Sequence, residues 1–207
     1  MEKTVKQPLL QKAIEFAAMK HEGYVRKGTT IPYFTHVMEA MEIVSRMTED
    51  EEIRAAAVLH DTLEDTETTK EELVRLFGWR VAKLVESESE DKREDRPAEE
   101  TWWIRKKETI RHMAHASTEI RMIAMGDKLS NIRAMHRDYL EHGDAFWDKF
   151  NNPDPGKQGW YYCSLANTFG EDPFISKTPA YKEYVKLCSE VFRFELNQQG
   201  KFILPEV

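Results

Sequence analysis

The sequence predicts an all-α protein. Apolar residues recur at three- and four-residue spacing almost from end to end. Glycine and proline are scarce, nine and eight in 207 residues, which favours long helices over a turn-rich β fold. With 41% hydrophobic and 32% charged residues, the composition is that of an ordinary globular chain with a sizeable core.

Taken in order, Leu10, Ile14, Ala17 and Ala18 form the apolar face of a first helix, broken by Gly23 and the segment 26–30. A second helix starts after Pro32 with Val37, Met38, Met41 and Val44 inward. Thr48-Glu49-Asp50 reads as a cap for a third helix, Ile53 to Leu63. Its run Ala55-Ala56-Ala57-Val58-Leu59 is apolar nearly all round, so it should be central. Thr68 or Thr69 caps a short helix, Glu71 to Phe77, that stops at Gly78, and Val81 to Val85 follows. The charge-dense stretch Glu86 to Glu100 reads as a solvated loop. Helices are expected from near Thr101, from Ser117 to Tyr139, around Trp160–Phe169 and over Pro179–Asn197, with a loop over Asn151–Gly159. No repeat and no linker divides the chain, so one domain over 1–207 is expected.

The net charge of −7 argues against tight, sequence-independent binding of nucleic acid, which relies on positive charge. It leaves room for a small phosphate ligand, because a bound cation reverses the field in a cleft. Met1–Gln7 has no apolar run of a signal peptide, and no stretch reaches the roughly 18 apolar residues of a membrane span. The two cysteines, Cys163 and Cys188, make no disulfide framework. A cytoplasmic protein is the expectation; a homo-oligomer is left open.

Chemistry concentrates at His36, His60-Asp61 and Asp127, each among apolar residues of a predicted helix. A buried charge needs a partner. Two imidazoles and two carboxylates meeting at one divalent cation would satisfy one another, and the mixed set suits a transition metal. In Leu59-His60-Asp61-Thr62-Leu63-Glu64-Asp65-Thr66, Glu64 lies one turn beyond His60 and Asp65 one turn beyond Asp61. As plain structure that arrangement repels itself; as an active site it puts acids beside an activated water. The bland alternative is a solvated charged helix end. His112, His115, His136 and His142 read as surface or satisfied core.

The order His36 … His60-Asp61 … Asp127 resembles the signature of the HD superfamily of metal-dependent phosphohydrolases. Arg26-Lys27-Gly28, Pro32-Tyr33-Phe34-Thr35-His36, His60-Asp61-Thr62-Leu63-Glu64-Asp65-Thr66 and Asp127-Lys128-Leu129-Ser130-Asn131-Ile132-Arg133 are similar to motifs of the RelA/SpoT-type guanosine 3′,5′-bispyrophosphate hydrolases. The likeness covers about residues 8 to 140, and further helices follow at about 155–197. It implies a single HD-type helical bundle that cleaves the 3′-pyrophosphate of (p)ppGpp or a similar nucleotide. By the same resemblance His36, His60, Asp61 and Asp127 would hold one divalent metal, usually manganese, and Glu64 and Asp65 would activate water. Arg26, Lys27, Asn131 and Lys128 would face the substrate, as would Arg105-Lys106, which looks like the family's RK element.

The sequence departs from that pattern at three places. Ala124 stands where a lysine is common, the loop from Arg26 to Pro32 is one residue longer, and Val85 to Lys92 replaces a glycine-threonine-lysine stretch. Two other readings stay open: an HD hydrolase of another nucleotide or phosphoester, and an inactive HD-fold regulatory module. Arg26 and Lys27 on a solvated turn, and Arg105 and Lys106 on a solvated helix face, are the plain alternatives. Of the adjacent Trp102 and Trp103, one is expected in the core. Lys157, Trp160, Tyr161 and Tyr162 read as core and rim, and Tyr181, Tyr184, Leu187, Val191 and Phe192 as packing.

Overall fold

The computed structural model describes residues 8–93 and 95–205; Met1–Gln7, read above for a signal peptide, lies outside them. The expectation of an all-α protein holds. Among the described residues there are only two isolated β-bridges, Val25 with Pro32 and Leu196 with Phe202. The chain forms two compact units, Met1–Ser89 and Glu90–Val207, whose boundary falls inside the charge-dense stretch.

The first unit holds α1 (Leu9–Lys20), α2 (Phe34–Ser45), α3 (Glu51–Leu59), α4 (Thr62–Asp65), α5 (Lys70–Phe77) and α6 (Trp79–Glu86). As its all-round apolar run predicts, α3 is central: Ile53 and Ala55–Leu59 are buried, and α1, α2 and α6 pack on it. Asp50 caps α3 by accepting from the backbone N–H groups of Glu52 and Ile53. Arg80 of α6 then grips both oxygens of Asp50 at 3.1 and 2.9 Å, fastening α6 to the start of α3. Thr69 caps α5, and Gly78, at φ 90°, turns the chain into α6 in the left-handed region that favours glycine.

One expected helix is two. α3 ends at Leu59, and α4 restarts at Thr62 instead of running on to Leu63. The cause is local: the Thr62 hydroxyl donates to the Leu59 carbonyl at 2.7 Å, competing with the helical ladder.

The second unit holds α7 (Ala98–His115), α8 (Thr118–His142), α9 (Pro155–Gly170) and α10 (Pro179–Phe192), with a 3-10 turn over Gly143–Lys149. α10 packs on α8 and α9, and α7 packs on α9. Ser117 caps α8, and Met122–Asp127 is buried without interruption. Asp172 ties the unit together, accepting from Phe174 N–H, Ile175 N–H, the Thr118 hydroxyl and Arg121.

Three boundaries differ from expectation. α9 begins inside the expected loop 151–159, because Asp154 accepts from the N–H groups of Gly156 and Lys157, and Pro155 suits the first helical turn. α10 stops at Phe192, where Arg193 turns left-handed (φ 60°), instead of reaching Asn197. The stretch 86–100 is not wholly solvated: the Glu90 side chain is only 15% exposed. Cys163 and Cys188 are free and buried.

Candidate active site

In the first unit, His36 in the first turn of α2 and His60 at the end of α3 are buried, and their rings meet edge to face at 5.2 Å. Asp61, which begins α4, places Oδ2 3.0 Å from His60 Nε2 and 3.5 Å from His36 Nε2. His60 Nδ1 lies 2.8 Å from the Ala57 carbonyl. A carbonyl only accepts, so Nδ1 carries a proton, which leaves Nε2, 3.0 Å from the Asp61 oxygen, available as a metal-ligating atom. Two electron-rich atoms at that separation, one of them a carboxylate oxygen, suit coordination of a shared cation. The second-ring-nitrogen bond to a backbone carbonyl is also the usual support of a metal-binding histidine. The donor set therefore fits a divalent metal.

α4 carries Glu64 and Asp65, both half-buried, and the Asp65 N–H closes the turn on the Asp61 carbonyl at 2.9 Å. The turn thus survives the break in the helix, and the acids follow the His60-Asp61 pair as the spacing implied. Arg26 and Lys27 lie between the bridge residues Val25 and Pro32. Arg26 sits over the Tyr33 ring at 5.8 Å, while Lys27 is exposed.

Two residues here escaped the sequence reading. The Tyr33 hydroxyl donates to Asp61 Oδ2 at 2.6 Å. Its place in the Pro32–His36 motif was the available signal. His21 is 2% exposed and packs on Tyr33 at 5.1 Å, and neither of its ring nitrogens has a hydrogen-bond partner among the described residues. Burial lowers its pKa against the opposing pull of Asp61 and Asp65. It falls four residues after the buried Ala17, which would have placed it on the inner face.

In the second unit, Asp127 is buried on α8 and is held on both oxygens, by Lys128 Nζ on Oδ2 and Asn131 Nδ2 on Oδ1. Burial lowers the Lys128 pKa, but the charge of Asp127, with Tyr161 and Glu90, outweighs it and holds the ammonium well above its ordinary value. Arg105 and Lys106 of α7 are neither solvated nor open: both bind Glu90, at 3.1 and 2.8 Å. Burial raises the Glu90 pKa, yet Lys106 and Lys128 bring it down to about 2. Trp102 is in the core and Trp103 is half-buried against Trp160; Tyr161 and Tyr162 are buried, and Lys157 is exposed. His112, His115 and His142 are exposed, and half-buried His136 pairs with Glu190 at 3.2 Å. No helix among the described residues is long and apolar enough to cross a membrane.

Comparison with known proteins gives a consistent picture. Residues 13–152 match the HD domain. The chain is 37% identical over 134 residues to the guanosine-3′,5′-bis(diphosphate) 3′-pyrophosphohydrolase MESH1 of Danio rerio, a match covering 62% of this chain and 70% of that protein. It is 35% identical over 129 residues to the bacterial enzyme of that activity from Aquifex aeolicus, covering 61% of this chain but only 18% of that longer protein. Among solved structures, lmo0812 from Listeria monocytogenes superposes with a TM-score of 0.67 at 30% identity, over 78% of this chain and 96% of that one. A metazoan ortholog of SpoT shares the fold, with a TM-score of 0.60 at 24% identity, over 92% of this chain and 97% of that one.

Proposed function

The chain belongs to the HD domain family, and we propose that it is a metal-dependent hydrolase of the 3′-pyrophosphate of (p)ppGpp or a closely similar nucleotide. The observation that carries the reading is Asp61 Oδ2, faced by the Nε2 atoms of His60 and His36 at 3.0 and 3.5 Å, with Glu64 and Asp65 one helical turn on. Relatives named for that activity support the substrate class.

His36, His60 and Asp61, with Asp127 by its place in the motif, would hold one divalent cation, and manganese is the metal we expect. Such a cation, when bound, would supply Lewis acidity to water and to a phosphate oxygen. Glu64, aided by Asp65, aligns the attacking water and takes its proton. The water oxygen bonds to the phosphorus attached to the ribose, the bond from that phosphorus to the 3′ oxygen breaks, and the 3′ oxygen gains a proton. Pyrophosphate and a nucleoside 5′-di- or triphosphate result. Tyr33 holds Asp61 in place, and Asn131 and Lys128 orient Asp127. Arg26 and Lys27 supply cationic contacts to the substrate.

The HD match spans residues 13–152, on both sides of the boundary between Ser89 and Glu90, which supports one HD domain that draws on both units. A cytoplasmic setting goes with this reading. An inactive regulatory module is disfavoured, since His36, His60, Asp61, Asp127, Glu64 and Asp65 are all present.

The test is turnover of a nucleotide panel, including guanosine 3′,5′-bispyrophosphate, by metal-stripped protein with Mn²⁺ restored. Pyrophosphate release from the alarmone is expected. Activity confined to other nucleotides would keep the HD chemistry and discard the substrate.

A further inference from the structure

The loop between α6 and α7 carries a glutamate that the proposed reaction does not use. Glu90 Oε1 accepts from Lys106 Nζ and from the Thr109 hydroxyl, each at 2.8 Å. Its Oε2 accepts from Arg105 Nη1 and again from Lys106, each at 3.1 Å. The Lys106 ammonium lies 4.7 Å over the ring of Tyr161. Lys128, which binds Asp127, acts on Glu90 through its charge. Three cations thus meet two carboxylates within one unit.

A guanidinium, an ammonium and a hydroxyl converging on a pair of oxygens form a receptor that takes phosphate as readily as carboxylate. Here the chain fills it with its own side chain. The cluster still has donors to spare: Arg105 Nε and the Tyr161 hydroxyl are buried with no hydrogen-bond partner among the described residues. Glu90 is held in place by three residues of α7 and offsets one of the two α7 charges, so an arriving phosphate meets a weakened positive cluster with a fixed anion inside it. The cost of that encounter grows with each phosphate the ligand carries.

We propose that Glu90 is a specificity-determining residue, an internal anion that occupies the Arg105–Lys106–Thr109 cluster and selects nucleotide 3′-pyrophosphates with few phosphates on the 5′ side. This inference rests on the hydrolase reading for its substrate, but its central claim, competition between Glu90 and phosphate, is measurable without turnover.

The experiment is calorimetric binding of inorganic pyrophosphate to the wild-type protein, to Glu90→Gln and to the Glu90→Gln/Lys106→Met double variant. Michaelis constants follow for guanosine 3′-pyrophosphates bearing one, two or three 5′ phosphates. Glu90→Gln should bind pyrophosphate about tenfold more tightly, and the gain should vanish in the charge-balanced double variant. Its Michaelis constant should fall most for the 5′-triphosphate. A folded Glu90→Gln protein whose pyrophosphate affinity is unchanged or weaker would overturn the proposal. If Glu90→Gln is unstable alone, added pyrophosphate should restore its thermal transition, and failure to do so overturns the proposal equally. Tighter pyrophosphate binding without hydrolysis of any of the three nucleotides would support the role of Glu90 and reject the substrate assignment alone.

Discussion

The Tyr33 hydroxyl donates to Asp61 Oδ2 across 2.6 Å, the same oxygen that His60 and His36 face. A carboxylate shared between two imidazoles has several rotamers open to it, and Tyr33 selects one. Removing such an outer support typically costs about 10- to 100-fold in metal affinity. Tyr33→Phe should therefore weaken Mn²⁺ binding by about that factor while leaving the far-ultraviolet circular dichroism unchanged. Equilibrium dialysis against Mn²⁺ decides it, and wild-type affinity in the variant would remove Tyr33 from the site.

The ligand and the water-activating acid should separate by mutation. Asp61→Ala takes away the carboxylate both histidines face, so bound metal should be lost along with turnover. Glu64→Gln should keep the metal and lose roughly 10²- to 10⁴-fold in rate, the usual worth of a positioned base. Metal content by elemental analysis, beside turnover, reads both. A Glu64→Gln enzyme working at the wild-type rate would reassign the base.

Glu90 gives a stability profile with a definite sign. Its carboxyl stands at about 2 against an ordinary 4.5, so the folded state favours the ionised form. That stabilisation is fully present above pH 4.5 and drains away as pH falls toward 2. Denaturant melts at stepped pH should show the gap between the wild type and Glu90→Gln narrowing through that window. A gap that stays constant down to pH 2 would contradict the assignment.

Gly159 marks a close approach inside the second unit. A Cβ there would meet the Phe192 side chain of α10 at 3.0 Å. Alanine normally favours a helix interior by about 1 kcal/mol over glycine, but overpacking at a buried contact costs about 1–3 kcal/mol. We expect Gly159→Ala to be net destabilising by about 1 kcal/mol, seen as a lower denaturation midpoint with an unchanged slope.

The place of Glu64 and Asp65 beside His60-Asp61 was legible because it is a matter of local spacing: His60 to Glu64 and Asp61 to Asp65 are single helical turns, whereas His36 and Asp127 stood out only as polar residues among apolar helix neighbours. The central place of α3 was legible from an apolar run with no polar face. The interruption after Leu59 was not, because the Thr62 hydroxyl competes for a carbonyl within a pattern that still counts as helical. The start of α9 was hidden by Pro155, Gly156 and Gly159, residues that signal a loop unless a capping Asp154 and a packing partner are known. Glu90 was the furthest from reach: it lies among many acidic residues, and only its pairing with Arg105, Lys106 and Thr109, fifteen or more positions on, sets it apart.

The short break between α3 and α4 divides ownership of the centre. His60 is fixed from behind, by the Ala57 carbonyl and the packed helix it ends. Glu64 and Asp65 belong to a four-residue segment anchored by the threonine hydroxyls of Thr62, Thr66 and Thr68. Changes in those threonines or in the turn that follows can shift the acids by fractions of an ångström without disturbing the imidazoles. On the hydrolase reading proposed above, such changes would retune how water is aimed, and so which phosphoester is cut, while leaving the candidate metal ligand His60 in place.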